Sequence, residues 1–180
     1  MALVHETYSY DDYKLWEGKW ELIDGVAYAM TPSPVKKHQN LSVRIAGMLE
    51  NFMENCKECE VVIEQDYKIS EFTVLRPDIA VVCNDENPDY ISKAPEIVIE
   101  IISASTAYRD EKIKFELYEK EKVKYYIIVY PGELKAKVYK LIDFKYTKLG
   151  DFFEETIEFN DIKCNPKIDF YKVFKRYKNV

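Results

Sequence analysis

The chain has 180 residues, 47% hydrophobic and 32% charged, a balance that excludes a disordered chain and leaves no run of about 18 apolar residues for a membrane span. That length suits one domain, residues 1–180, burying about 70% of the surface its unfolded form would expose. The formal charge of -6 excludes a protein that coats nucleic acid by bulk electrostatics, because such binding rests on clustered Lys and Arg.

The opening stretch MALVHETYSYDDY has acids where a secretory signal would have a positive start and an apolar run, which reads as a cytoplasmic, soluble protein. Within it Ser9, with Asp12 three residues on, caps a short helix that Gly18 ends. KWELIDGVAYAM then forms two extended runs meeting at Asp24-Gly25, a hairpin signature. TPSP breaks regular structure. From about Lys36, apolar residues at Leu41, Ile45, Met48, Leu49, Phe52 and Met53 recur at the spacing of an amphipathic helix.

EVVIEQDYKI, LRPDIAVVC and PEIVIEIIS follow as short strands rich in β-branched residues, separated by turn clusters such as NDENPDY. Tyr108 to Glu121 reads as a second helix with Ile113, Leu117 and Tyr118 inward. VKYYIIVYP is a buried strand after it, and strand, helix, strand in that order predicts a right-handed crossover with parallel pairing. KAKVYKLIDF, KYTKLGDFFEETIEF and DIKCNPKIDFYKVFKRY complete the chain as peripheral strands and a short terminal helix.

Local basic clusters stand at Lys36, Lys37 and Arg44, at Lys112, Lys114, Lys120, Lys122 and Lys124, and at Lys172, Lys175, Arg176 and Lys178. Solvated helix faces account for such clusters more often than binding does. Of the four cysteines, Cys56 and Cys59 form the one C-x-x-C. Zinc would need two more ligands, and neither His5 nor His38 stands at finger spacing. The motif closes a helix instead of opening one, so the cysteines read as ordinary reduced thiols.

Two carboxylates interrupt this apolar pattern. Alternate strand residues share a face, so Glu96, Val98, Glu100 and Ile102 point one way and Ile97, Ile99 and Ile101 the other. Asp78 follows Pro77 at the mouth of its own strand, where a proline removes no ladder bond. A carboxylate taken out of water costs several kcal/mol unless compensated. If the two strands are neighbours, Asp78 and Glu100 converge, and hard oxygen ligands of this kind suit Mg²⁺ or Mn²⁺.

In WELIDG with Glu21, the His38 that opens the long helix, RPDIAVV with Asp78, PEIVIEIIS with Glu100 and Ser103, and RDEKIKFELY with Asp110, Lys114 and Tyr118, the chain resembles a known family. It is similar to the putative restriction endonuclease domains, formerly a domain of unknown function, of the PD-(D/E)XK nuclease superfamily. Val123, Tyr126, Val129 and Pro131 continue the likeness. The specificity lies in the order and spacing of these motifs together. The chain departs from the pattern in three places: Ile102 stands where the superfamily's lysine sits two residues after the glutamate, Tyr125-Tyr126-Ile127 replaces an EYW segment, and Tyr130 replaces an aspartate.

The resemblance implies a restriction-endonuclease-like α/β (α+β) domain with a central mixed β-sheet flanked by helices. It implies a metal-dependent DNA endonuclease using Mg²⁺ (or Mn²⁺), homodimeric so that both strands are cut. Asp78, Glu100 and the backbone carbonyl of Ile101 hold the ion, and Lys114 takes the lysine's place from the next helix, oriented by Asp110 four residues earlier. Each residue has a plainer reading. Asp78 is also a turn residue, Glu100 a buried partner for a lysine, and Lys114 a solvated lysine paired with Asp110 or Tyr118. Glu21 completes a second metal position, acts through a water, or is a surface carboxylate. His38 contacts phosphate at the helix start or packs as a satisfied histidine. Ser103, Asp110 and Tyr118 support the others; Glu64 and Glu96 are left out. Two other functions compete: a nuclease-like binding module without turnover, suggested by the net acidity and Ile102, and a carboxylate-metal hydrolase of nucleotides or RNA.

Overall fold

The computed structural model of the chain describes residues 6–30, 35–103 and 106–178. Ser9 caps α1 (Tyr10–Tyr13) in a reciprocal capping box with Asp12, as the sequence predicts. The helix stops earlier than expected, however, and Gly18 lies beyond it in a bend with φ +90°. The hairpin forms as predicted from β1 (Trp20–Ile23) and β2 (Val26–Ala29). Its turn residues Asp24 and Gly25 have φ +48° and +79°, the backbone an Asp-Gly hairpin turn requires. The TPSP break, residues 31–34, lies outside the described residues.

Helix α2 (Lys36–Met53) buries Leu41, Ile45, Leu49 and Met53, the stripe its periodicity marks. EVVIEQDYKI is not one strand. It divides at Glu64, φ +49°, into β3 (Cys59–Ile63) and β4 (Tyr67–Ser70), which join different sheets. LRPDIAVVC divides likewise. Leu75 ends β5 (Thr73–Leu75) in one sheet, Pro77 turns the corner, and β6 (Ile79–Cys83) enters the other. β-propensity marks both halves as extended but carries no information on which sheet each joins.

PEIVIEIIS supplies β7 (Ile97–Ile101). The second helix begins as a π-helical turn, Arg109–Lys114, and continues as α3 (Phe115–Lys120), where an unbroken α-helix was expected. Then come β8 (Tyr125–Tyr130), β9 (Lys135–Ile142), β10 (Lys145–Phe152), β11 (Thr156–Glu158), β12 (Lys167–Asp169) and the predicted terminal helix α4 (Phe170–Phe174).

The six-stranded central sheet has the order β10-β9-β8-β7-β6-β3. It is mixed: β7 and β8 pair in parallel across the helical connection, as predicted, and the other neighbours are antiparallel. A four-stranded antiparallel sheet, β2-β1-β5-β4, and the hairpin β11-β12 complete it.

Strand alternation sorts the core into two halves. Ile79, Val81, Ile97, Ile99, Ile101, Ile127 and Val129 face α2 and the C-terminal segment with Phe159, Phe170 and Phe174. Ala80, Val82, Val98, Tyr126 and Ile128 face the other way, against Tyr118 of α3 and Ile23, Tyr67 and Leu75 of the small sheet. Each fully buried Val, Ile or Phe contributes about 1.5–3 kcal/mol. Among the described residues no helix is long and apolar enough to cross a membrane. The expectation of free thiols is overturned: Cys56 pairs with Cys164 and Cys59 with Cys83 as disulfides. Strand order and loop return, neither readable from cysteine spacing, bring these pairs together.

Candidate active site

The antiparallel register Ile79↔Ile99 between β6 and β7, continued by one residue, sets Asp78 opposite Glu100 on the face of the second core half. Directly opposed residues have Cβ atoms about 4.5–5.5 Å apart. The strands are thus neighbours, and both acids line one cleft of about 550 Å³ between the central sheet, the small sheet and the π-helical turn.

Among the described residues, the buried charged side chains are Glu21, Asp78, Glu100, Asp110 and Lys114, and every one lines this cleft. That is four carboxylates to one ammonium. Lys114 Nζ lies 2.6 Å from Glu21 Oε1, 2.9 Å from Glu100 Oε1 and 3.4 Å from Asp110 Oδ1. Tyr118 also donates to Glu100 Oε1, at 2.9 Å. Asp78 Oδ2 accepts the Ile101 N–H at 2.7 Å and lies 3.2 Å from His38 Nε2. The bonds that hold Asp78 and Glu100 therefore fall on one oxygen of each carboxylate.

Glu21 is 1% exposed, which rules out the surface-carboxylate reading. It comes from β1 of the small sheet, accepts the Arg76 N–H on Oε1 at 3.0 Å and lies 3.1 Å from Arg109 on Oε2. Lys114 is likewise no solvated lysine, being 3% exposed; its expected pairing with Asp110 is present. The π-helical turn carries both inward, and the Asp110 carbonyl accepts from the Tyr126 hydroxyl at 2.8 Å. Such wide turns are rare and recur at functional sites. His38, in the first turn of α2, bonds Asp78 through Nε2, and its buried Nδ1 has no hydrogen-bond partner among the described residues. Ser103 lines the same cleft.

Burial pushes the Glu100 carboxyl well above its ordinary value; Lys114 opposes the rise, and the charges of Asp110, Asp78 and Glu21 add to it. Burial also raises Asp110, against the pull of Lys114 and a hydrogen bond from Thr106. Burial alone would discharge Lys114, but Glu100, Glu21 and Asp110 outweigh it and hold the ammonium well above the usual lysine range. For His38, burial is outweighed by the hydrogen bond and charge of Asp78, so its pKa is raised. Tyr118 is kept a neutral donor by burial and by Glu100.

Sequence reasoning missed Arg109, which clamps Glu21 and stacks over Tyr28 at 4.8 Å from the ring centroid. Its signal was its place beside Asp110 in RDEKIK. Glu64, left out, lines the cleft and pairs with Lys19, whereas Glu96, also left out, pairs with Lys124 at 2.8 Å.

Hard oxygens in excess of cations are the donor set that Mg²⁺ or Mn²⁺ takes up. Among the described residues no three His, Cys, Asp or Glu ligands of the cleft bring their ligand atoms within 4.8 Å of one another. Two carboxylates would suffice, since Mg²⁺ is usually held by one or two carboxylates and keeps several waters.

Known proteins share this framework. The family model described as Uma2, putative restriction endonuclease, matches residues 10–161. The uncharacterized protein slr1290 of Synechocystis sp. is 32% identical over 117 residues, and the chain spans 60% of that relative's length and 60% of its own in the match. The crystal structure of a putative nuclease belonging to DUF820 from Anabaena variabilis matches with a TM-score of 0.76 at 16% identity, over 93% of this chain and 97% of that one. At that identity the likeness is one of fold.

Proposed function

The chain belongs to the Uma2 family, described as putative restriction endonucleases, and on that premise we propose that it is a DNA endonuclease that hydrolyses phosphodiester bonds with a bound Mg²⁺ or Mn²⁺. Family and fold support a nuclease-type function; the observation that carries the finer reading is the set of four buried carboxylates against one buried ammonium in a single cleft. Asp78, Glu100 and the Ile101 carbonyl would hold the ion, through the carboxylate oxygens that Ile101 N–H, His38, Lys114 and Tyr118 leave free. Bound there, the ion supplies a Lewis acid for a non-bridging phosphate oxygen and lowers the pKa of an attacking water.

The protein's own groups do the rest. Lys114, kept charged by Glu100, Glu21 and Asp110, is a fixed positive charge beside the ligand carboxylates that would stabilise the charge developing on phosphate. Tyr118 and the Ile101 N–H fix the two ligand carboxylates. Glu21 and Arg109 position the lysine from the other side. The first turn of α2 holds Lys36, Lys37 and His38, contains no acid and among the described residues has no side-chain cap, so its positive dipole end suits a substrate phosphate. We assign the protein to the cytoplasm, acting as a homodimer that cuts both strands.

Purified chain should nick supercoiled plasmid in Mg²⁺ or Mn²⁺, and Asp78→Ala or Glu100→Ala should abolish nicking; full activity in either variant overturns the assignment. The second reading, a binding module without turnover, draws on Lys114 already occupying one oxygen of Glu100. Calorimetry separates the two, since carboxylate-dependent Mn²⁺ uptake supports the enzyme and its absence supports the module. Cleavage of RNA or nucleotides with duplex DNA left intact would instead identify the third class.

A further inference from the structure

All four cysteines of the chain meet at the end of β6 remote from Asp78, about 16 Å along the strand at roughly 3.3 Å per residue. They come from four segments: Cys56 in the turn after α2, Cys59 opening β3, Cys83 closing β6, and Cys164 in the connection between β11 and β12. The sulfurs of Cys56, Cys59 and Cys164 all lie within 4.8 Å of one another, and that of Cys83 is bonded to Cys59. Cys59 is part of the larger core half, and Cys56, Cys83 and Cys164 pack against it.

A clamp needs no such convergence. Cys59 and Cys83 are already directly paired in the register of β3 and β6, so a covalent bridge there restrains little that the sheet does not. A tetrahedral ion needs four sulfurs at one point. With metal–sulfur bonds of about 2.3 Å it spans sulfurs about 3.8 Å apart; three of the four already lie within 4.8 Å of one another, and Cys83, bonded to one of them, has to swing in to complete the set. Cys56-x-x-Cys59 is the two-ligand turn such sites use. Cys164 and Asn165 both take left-handed backbone, φ +67° and +44°, a costly conformation that persists where the surroundings over-determine it. Lys57 and Glu58 lie inside the C-x-x-C, and Lys163, which precedes Cys164, pairs with Glu58 at 3.8 Å.

We propose that the reduced cluster is a zinc site with four thiolate ligands, Cys56, Cys59, Cys83 and Cys164, and that the two disulfides are its metal-free oxidised form. Each disulfide takes two electrons and two protons from a dithiol reductant, which closes to its own disulfide. Zinc entry then releases the four thiol protons to solvent. Soft thiolates select zinc over the hard cations suited to the cleft, so the site is independent of the nuclease reading. In either form it ties the loop between β11 and β12 to the end of α2.

The test is a Co²⁺ titration of the full chain, reduced with a phosphine and freed of it without air. The expected result is a sulfur-to-cobalt charge-transfer band with tetrahedral ligand-field bands, saturating at about one ion per chain, bleached by Zn²⁺, unchanged in Asp78→Ala and lost in Cys56→Ser/Cys164→Ser. In the unaltered chain Zn²⁺ should protect all four thiols from alkylation, read by mass spectrometry, so the result does not depend on the variant folding. Absence of the band, its survival in the double variant, unprotected thiols in Zn²⁺, or disulfides that resist the phosphine while the chain stays folded would each overturn the proposal.

Discussion

Lys114 Nζ lies 2.9 Å from Glu100 Oε1 across fourteen positions of sequence and two elements. The π-helical turn delivers this ammonium to Glu100, while Ile102 holds the position two residues after the glutamate in sequence. Changing one partner exposes the other. Lys114→Met leaves Glu21, Glu100 and Asp110 facing one another without their shared cation, and breaking a buried pair from one side costs about 3–5 kcal/mol. Urea unfolding should show a loss of that order, part of which Mn²⁺ restores, together with loss of plasmid nicking. A variant as stable as the parent would refute this account of the cluster.

On the proposed site, Tyr118→Phe separates holding a ligand from being one. Glu100 keeps Lys114 but loses the hydroxyl that fixes its Oε1, a buried hydrogen bond to a charged group worth about 1.5–3 kcal/mol. Stability should fall by that amount. Nicking should slow yet remain measurable, unlike Glu100→Ala, and Mn²⁺ affinity by calorimetry should weaken. Equal abolition in both variants would mean that Tyr118 acts on the substrate itself.

His38 gives a stability that depends on pH, with a definite sign. Its folded pKa is raised above 6.5 by Asp78 despite burial, so the folded state binds the proton more tightly than the unfolded one. The pair's contribution is complete below the unfolded value and is lost as pH rises through the folded one. Unfolding free energies of the parent and His38→Gln, measured from pH 5.5 to 8.5, should differ most at the acid end. A difference that grows with pH contradicts the pairing.

Gly25→Ala tests the hairpin that carries Glu21. Gly25 has φ +79°, and an added Cβ would overlap Thr7 Cγ2, while its N–H bonds to the Phe72 carbonyl at 2.8 Å. Left-handed backbone costs a non-glycine residue about 1–2 kcal/mol, and the overlap adds to it. The melting temperature should drop by about 4 °C or more for a chain of this size; an unchanged value would mean that the turn relaxes without cost.

What the sequence discloses follows from how local each signal is. Asp24-Gly25 determines its turn within two residues, and the apolar stripe of α2 repeats over 18, so both were legible. The alternation in β7 placed Glu100 opposite its apolar neighbours, which marked it as a residue needing a partner. The splitting of EVVIEQDYKI and LRPDIAVVC between two sheets was not legible, since β-propensity marks a segment as extended without naming the sheet it joins. The π-helical turn leaves no mark in the periodicity of RDEKIK. Arg109 declares itself only once Glu21 is known to be buried beside it, and the convergence of Cys83 and Cys164 on Cys56 and Cys59 depends on strand order and a returning loop.

The corner at Pro77 has a kinetic consequence. It joins the small sheet to the central one directly before Asp78, so the site closes only when both sheets have docked and β7 has paired with β6. A chain still emerging from the ribosome as far as Cys83 displays Asp78 with neither Glu100 nor Lys114, which lie 22 and 36 residues further on. The cleft proposed as the active site is therefore incomplete in any nascent chain that has not yet released Lys114.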